Sequence, residues 1–129
     1  MRNEDIKKNL IVNLTFEFSI DILNYCELLE SKRKYILSNQ LLRSGTSIGA
    51  NVWEAQNAES RMDFIHKFKI AGKEMEETKY WLLLCNNFKS CPDPSLIIEK
   101  LDVIHKIITR IISTSKKKKL TKVVTTLTN

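Results

Sequence analysis

Apolar residues recur every three or four positions through four segments of the chain, and short polar breaks separate the segments. The first segment spans about Glu4 to Glu30. In it Ile11, Leu14, Phe18, Ile22, Tyr25 and Leu29 share one face at a helical step of about 100°. Val12, Phe16, Ile20 and Leu23 form a second stripe, more than a quarter turn away. A helix that is apolar on two faces needs two partners. One is its own bundle; for the second stripe the natural partner is a neighbouring subunit.

After the break at Ser31-Lys32-Arg33-Lys34, a second helix is predicted from Tyr35 to Ala58. Its inner stripe is Leu41, Gly45, Ile48, Val52 and Ala55. Each glycine costs a helix about 1 kcal/mol relative to alanine, which predicts that Gly45 and Gly49 let another backbone approach closely. Gln40, Ser44, Ser47, Asn51 and Glu54 run beside this stripe as a polar seam, read as fixing helix packing in preference to contacting a ligand.

The third helix opens on Ser60-Arg61-Met62-Asp63, a capping-box pattern in which Ser60 accepts from the Asp63 amide. Phe64, Phe68, Ala71, Met75, Thr78, Leu82 and Cys85 then alternate by four and three, close to heptad spacing. Asn86 to Asp93 reads as a loop. Asp93-Pro94 starts a fourth helix, with Ile97, Leu101, Ile104, Ile108 and Ile111 on its inner face. This helix is expected to fade near Ser113-Thr114-Ser115, leaving Lys116 to Asn129 extended or mobile. The fold class that follows is all-α, an antiparallel up-down-up-down four-helix bundle over residues 1–115 with a lysine-rich tail over 116–129.

Length and composition agree with one domain: 129 residues, 43% apolar, 28% charged, with only 3 Gly and 2 Pro. The three cysteines, Cys26, Cys85 and Cys91, are odd in number and form no Cys-x-x-Cys. A disulfide framework or zinc site is therefore not expected, and a cytoplasmic setting is. No signal peptide or membrane span is read. Of the formal charge of +6, Lys116, Lys117, Lys118, Lys119 and Lys122 supply five, so the body is nearly neutral and the tail cationic. Clustered lysines attract phosphates and release counterions, so these five are the nucleic-acid-binding candidates; a solvated tail is the plainer alternative. No aromatics are interleaved with them, so base recognition there is not implied.

Two constellations invite a catalytic reading; the first is rejected and the second, an HEPN-like ribonuclease, stays only as a third alternative behind the two binding readings. Asp63-x-x-His66 and Asp102-x-x-His105 echo the inward carboxylate–histidine pairs of di-metal bundles. On ideal helices, however, His66 and Asp102 fall about 140–160° from the inner stripes. Arg61 and His66 resemble the Arg-x4-His motif of HEPN ribonucleases. Five residues separate them, which turns them about 140° apart and hinders convergence on one phosphate. No phosphate-binding glycine loop or nucleophile motif occurs. No catalytic residue, metal or cofactor is expected.

The stretch Leu37-Ser-Asn-Gln-Leu-Leu-Arg43-Ser44-Gly45-Thr46-Ser47-Ile48-Gly49-Ala50-Asn51-Val52-Trp53-Glu54-Ala55, followed by Ser60, Asp63-Phe64 and Ala71-Gly72-Lys73-Glu74-Met75-Glu76-Glu77, resembles the 23S rRNA intervening-sequence protein family of four-helix-bundle proteins. The resemblance covers about residues 5–115; many members have Pro at the position of Gly49 and Gly at that of Ala55. It implies a homo-oligomer, typically a pentameric barrel, encoded in rRNA intervening sequences. It also implies kinship with RNA-binding accessory factors of diversity-generating retroelements, and no active site.

The expectation is a non-catalytic oligomeric bundle that binds structured RNA or a ribonucleoprotein. The alternative is a protein-interaction module without a nucleic-acid role. Arg43, opposite the inner stripe of the second helix, joins the tail lysines as an electrostatic candidate. Val12, Phe16, Ile20 and Leu23 are the candidate subunit interface.

Overall fold

The structure, a computed structural model, describes residues 9–128, with side chains as far as Lys117. It comprises four helices: α1 (Leu10–Ser31), α2 (Tyr35–Ala55), α3 (Arg61–Asn87) and α4 (Ser95–Thr128). Sequential helices pack side by side, and α4 closes the ring against α1. The α1–α2 and α2–α3 seams are the most extensive and the α4–α1 seam the thinnest. The core is the set of inner stripes, with Phe18, Ile22, Leu41, Ile48, Phe68, Met75, Leu82, Leu101, Ile104 and Ile108 buried.

Three of the four helix starts have a local side-chain cause; α2 starts after Lys34 without a side-chain cap. Asn9 caps α1 by accepting from the Val12 amide at 3.2 Å, and its Nδ2 donates to Gln56 Oε1 at 3.0 Å, tying the start of α1 to the end of α2. Residues 4–8, expected to be helical, lie outside the described residues. Ser60 Oγ accepts from the Asp63 amide at 3.0 Å, as the capping box requires. The return bond is displaced by one residue: Asp63 Oδ2 accepts from the Glu59 amide at 3.3 Å. Asp93 Oδ1 accepts from the amide and hydroxyl of Ser95, which hold its carboxyl below the ordinary range.

The helix ends differ from expectation in two places. α2 stops at Ala55, three residues early, where the amides of Gln56, Asn57 and Ala58 bond three residues back and tighten the last turn. α4 does not fade at Ser113–Ser115: it continues to Thr128, which corrects the expected extended tail. Serine and threonine weaken a helix without breaking it, and no Gly or Pro follows Pro94.

Between α1 and α2 the backbone turns through Arg33, at φ 61°. The Arg33 amide donates to Glu30 O and the Lys34 amide to Leu29 O, a Schellman ending with arginine in the left-handed position that glycine usually takes. Of the two glycines of α2, Gly49 admits a backbone as its cost predicted, and Gly45 admits a side chain instead. A Cβ on Gly49 would lie 3.1 Å from the Thr15 carbonyl oxygen, so here α1's backbone itself is the neighbour. At Gly45 the neighbour is the side chain of Ile22.

Candidate functional site

Polar side chains inside the bundle serve packing. Ser44, Thr46, Ser47 and Thr78 each donate to a carbonyl four residues back on their own helix, and Asn51 Nδ2 donates to Ser47 O at 2.8 Å. Ser44, Ser47 and Asn51 of the α2 seam are therefore satisfied within their helix. Ion pairs then join neighbouring helices: Lys67 with Glu54 across α3–α2, Lys79 with Asp102 across α3–α4, and Lys100 with Asp21 across α4–α1.

Arg43, a nucleic-acid-binding candidate from the sequence, belongs to this set. Its Nη2 pairs with Glu77, and Nη1 lies 3.5 Å from Glu74 Oε2. The Glu74 oxygen is buried with no hydrogen-bond partner, so the guanidinium balances it by Coulomb attraction alone. One cation beside two carboxylates presents a locally negative surface and staples α2 to α3.

The catalytic constellations are dispersed. Arg61 lines a groove of about 410 Å³ at the end of the bundle, with Ala55, Gln56, Ser60, Phe64 and Ser115, while His66 is exposed elsewhere on α3. Asp102 is engaged by Lys79, and His105 Nε2 lies 3.8 Å from Glu76. Among the described residues no group of three His, Cys, Asp or Glu could hold a metal ion. Burial pushes the Cys85 thiol up to about 11 and raises Cys26 as well, so neither is a thiolate near neutral pH. Burial also raises Tyr25, whose hydroxyl donates to Pro92 O at 2.7 Å and pins the α3–α4 loop to α1.

Two surface features remain. The first is apolar and flanks α1 on both sides. Phe16, Ile20 and Leu23 are 46%, 44% and 47% exposed, but Val12 is only 2% exposed. Val12 therefore leaves the proposed interface and joins the protomer's own core. It lies toward α2, whose close approach at Gly49 covers that end of the stripe. The contacts of Gly45 with Ile22 and of Gly49 with Thr15 set the register, so half-buried Leu42 and Trp53 of α2 continue the face formed by Phe16, Ile20 and Leu23. On the other flank of α1, Leu14 and exposed Val103 line an apolar cleft of about 150 Å³ against α4, bridged by Asp21 and Lys100.

The second feature is the outer side of α4. After Asp102 the chain has seven lysines and arginines and no carboxylate: Lys106, Arg110, Lys116, Lys117, Lys118, Lys119 and Lys122. Because α4 is unbroken, Lys106 and Arg110 belong to the same rod as the terminal lysines. Lys116 and Lys117 are exposed; the side chains of Lys118, Lys119 and Lys122 lie outside the described residues. Sequence reading missed Lys106 and Arg110 because it ended the helix at Ser113–Ser115. The spacing of 106, 110, 113 and 117, by four, three and four, was the available signal.

Fold and surface together define a four-helix bundle with one cationic helix and two apolar flanks. A family model described as 23S rRNA-intervening sequence protein matches residues 7–114, and the chain belongs to that family. It is similar to a crystal structure from Bacteroides thetaiotaomicron, a protein of unknown function from the S23 ribosomal protein family. The two share 40% identity, with 79% of this chain and 97% of that one covered and a TM-score of 0.76. Among curated proteins none matches. No helix among the described residues is long and apolar enough to cross a membrane.

Proposed function

We propose that the protein is a non-catalytic, oligomeric RNA-binding scaffold. The observation that carries this reading is the run of seven cations without a carboxylate along α4. In the body, by contrast, Arg43, Lys67, Lys79 and Lys100 are each matched with a carboxylate. An unbalanced cationic rod suits a polyanion, and the family's description, which names a ribosomal RNA insertion, points to RNA. The dispersed positions of Arg61 and His66 and the protonated buried thiols support a role without catalysis.

The two apolar flanks of α1 support self-association. They differ in composition, so each copy would offer one flank to the next. A head-to-tail contact of that kind makes a closed ring when its rotation closes, here the pentamer that the resemblance implies.

The test is a salt titration of binding to a structured RNA by fluorescence anisotropy, with the full chain and with a chain ending at Ser115. Affinity should fall linearly in log–log form with salt, and more steeply for the full chain. Absence of binding by either chain near physiological salt would overturn the RNA reading. The second reading, a protein-interaction module, would then lead. It is favoured by the exposed apolar side chains Tyr35 and Ile36 at the start of α2 and Phe88 just after α3.

A further inference from the structure

Within the cationic helix, one face has a regular construction. Lys106, Arg110, Ser113 and Lys117 follow one another at steps of four, three and four, which keeps them in a single row. The row is straight and rises about 16 Å from first to last. Thr109 and Thr114 flank it, and all six side chains line one shallow groove of about 560 Å³. All six residues are exposed. The neighbouring His105 faces Glu76 on α3 and lies at the groove's edge.

The row holds cations and short hydroxyls and nothing else. The one ring in α4 is the His105 imidazole, which is turned toward Glu76, so the row itself has no platform on which unpaired bases could stack. It has no Asn or Gln to read adenine and no carboxylate to read cytosine. A rigid row of fixed charges gains most from phosphates that are themselves held at regular intervals, because neither partner then loses much conformational entropy on contact. A duplex meets that condition and a flexible single strand does not. The hydroxyls between the cations match the 2′-hydroxyls displayed in the wide, shallow minor groove of A-form RNA.

We infer that this face of α4 binds the backbone of double-stranded RNA across its minor groove, by shape and charge and without regard to sequence. Lys106, Arg110 and Lys117 meet phosphates, and Thr109, Ser113 and Thr114 meet the ribose edge. The inference rests on the RNA-binding reading and narrows it: the specific contact begins within the bundle, at Lys106, and not only in the terminal lysines.

The experiment uses the full chain and four labelled probes in anisotropy titrations. Two are RNA duplexes of about 16 base pairs with unrelated sequences, the span that minor-groove readers cover. The others are one matched single strand and the DNA duplex of the same sequence. The expected result is equal affinity for both RNA duplexes and binding at least about tenfold weaker to the single strand and to DNA. K106E/R110E should lose at least about tenfold in duplex affinity and flatten the salt slope by about 1.8, two phosphates' worth. K106Q/R110Q, with an unchanged thermal transition, should show the same direction and so separates charge from folding. Tight RNA binding that prefers the single strand, or that survives both double variants, would overturn the inference and leave the RNA reading standing. No binding to any RNA probe would overturn both.

Discussion

A methyl group on Gly45 would lie 2.8 Å from Cγ1 of Ile22 and 2.9 Å from its Cγ2. Ile22 is fully buried and branched at Cβ, so it has little room to yield. Gly45→Ala should therefore destabilise the protein by about 1–3 kcal/mol through overpacking, despite alanine's better helix propensity. Gly72, with nothing within 4 Å of its virtual Cβ, should respond in the opposite sense. Gly72→Ala should gain about 0.5–1 kcal/mol. Urea unfolding of the two variants beside the parent measures both; equal signs would refute the account.

Arg33 holds a left-handed conformation that an L side chain adopts at a cost of about 1–2 kcal/mol. Arg33→Gly should relieve part of that cost and raise stability by about 0.5–1 kcal/mol, allowing for glycine's greater freedom in the unfolded chain. Its midpoint in urea should rise with no change in slope.

The buried thiols and phenol set an alkaline limit. The Cys85 thiol, ordinarily near 9.0, is pushed up to about 11 by burial, so between these values the unfolded chain releases a proton that the folded one retains. Stability is thus fully present below pH 9 and falls as pH rises toward 11, by up to about 1.4 kcal/mol per pH unit for each such group. Tyr25 steepens the fall at its upper end. Thermal transitions of Cys85→Ala should show a shallower decline over this window than the parent, whatever its stability at pH 7.

If Phe16, Ile20 and Leu23 cover a subunit contact, a charge among them should break it without unfolding the protomer. Ile20→Glu, at a side chain 44% exposed in the isolated chain, should shift sedimentation from oligomer to monomer with helicity retained. Val12→Glu should instead abolish folding, because its environment is the protomer core.

Arg43→Ala removes a half-exposed ion pair and should cost less than about 1 kcal/mol. RNA affinity should be unchanged or slightly weaker. A loss comparable to that of K106E/R110E would return Arg43 to the binding surface.

The amino-acid sequence by itself determined the four helices, their inner stripes and two of their starts. These are local matters: a period of 3.6 residues sorts side chains by face, and Ser60 and Asp93 cap through neighbours two or three positions away. The sequence also carried the glycine signal, since an expensive residue at Gly45 and Gly49 implies a close neighbour without saying which. The tertiary structure decided what depends on distance across the bundle. Periodicity gave Val12 and Phe16 one stripe; only α2's approach put Val12 inside and left Phe16 out. The angle of Arg43 on its own helix marked it as outward, but its partners lie 31 and 34 positions away on α3. The continuity of α4, which three weak helix formers in a row had concealed, joined Lys106 and Arg110 to Lys117 in one exposed row where a break had been expected.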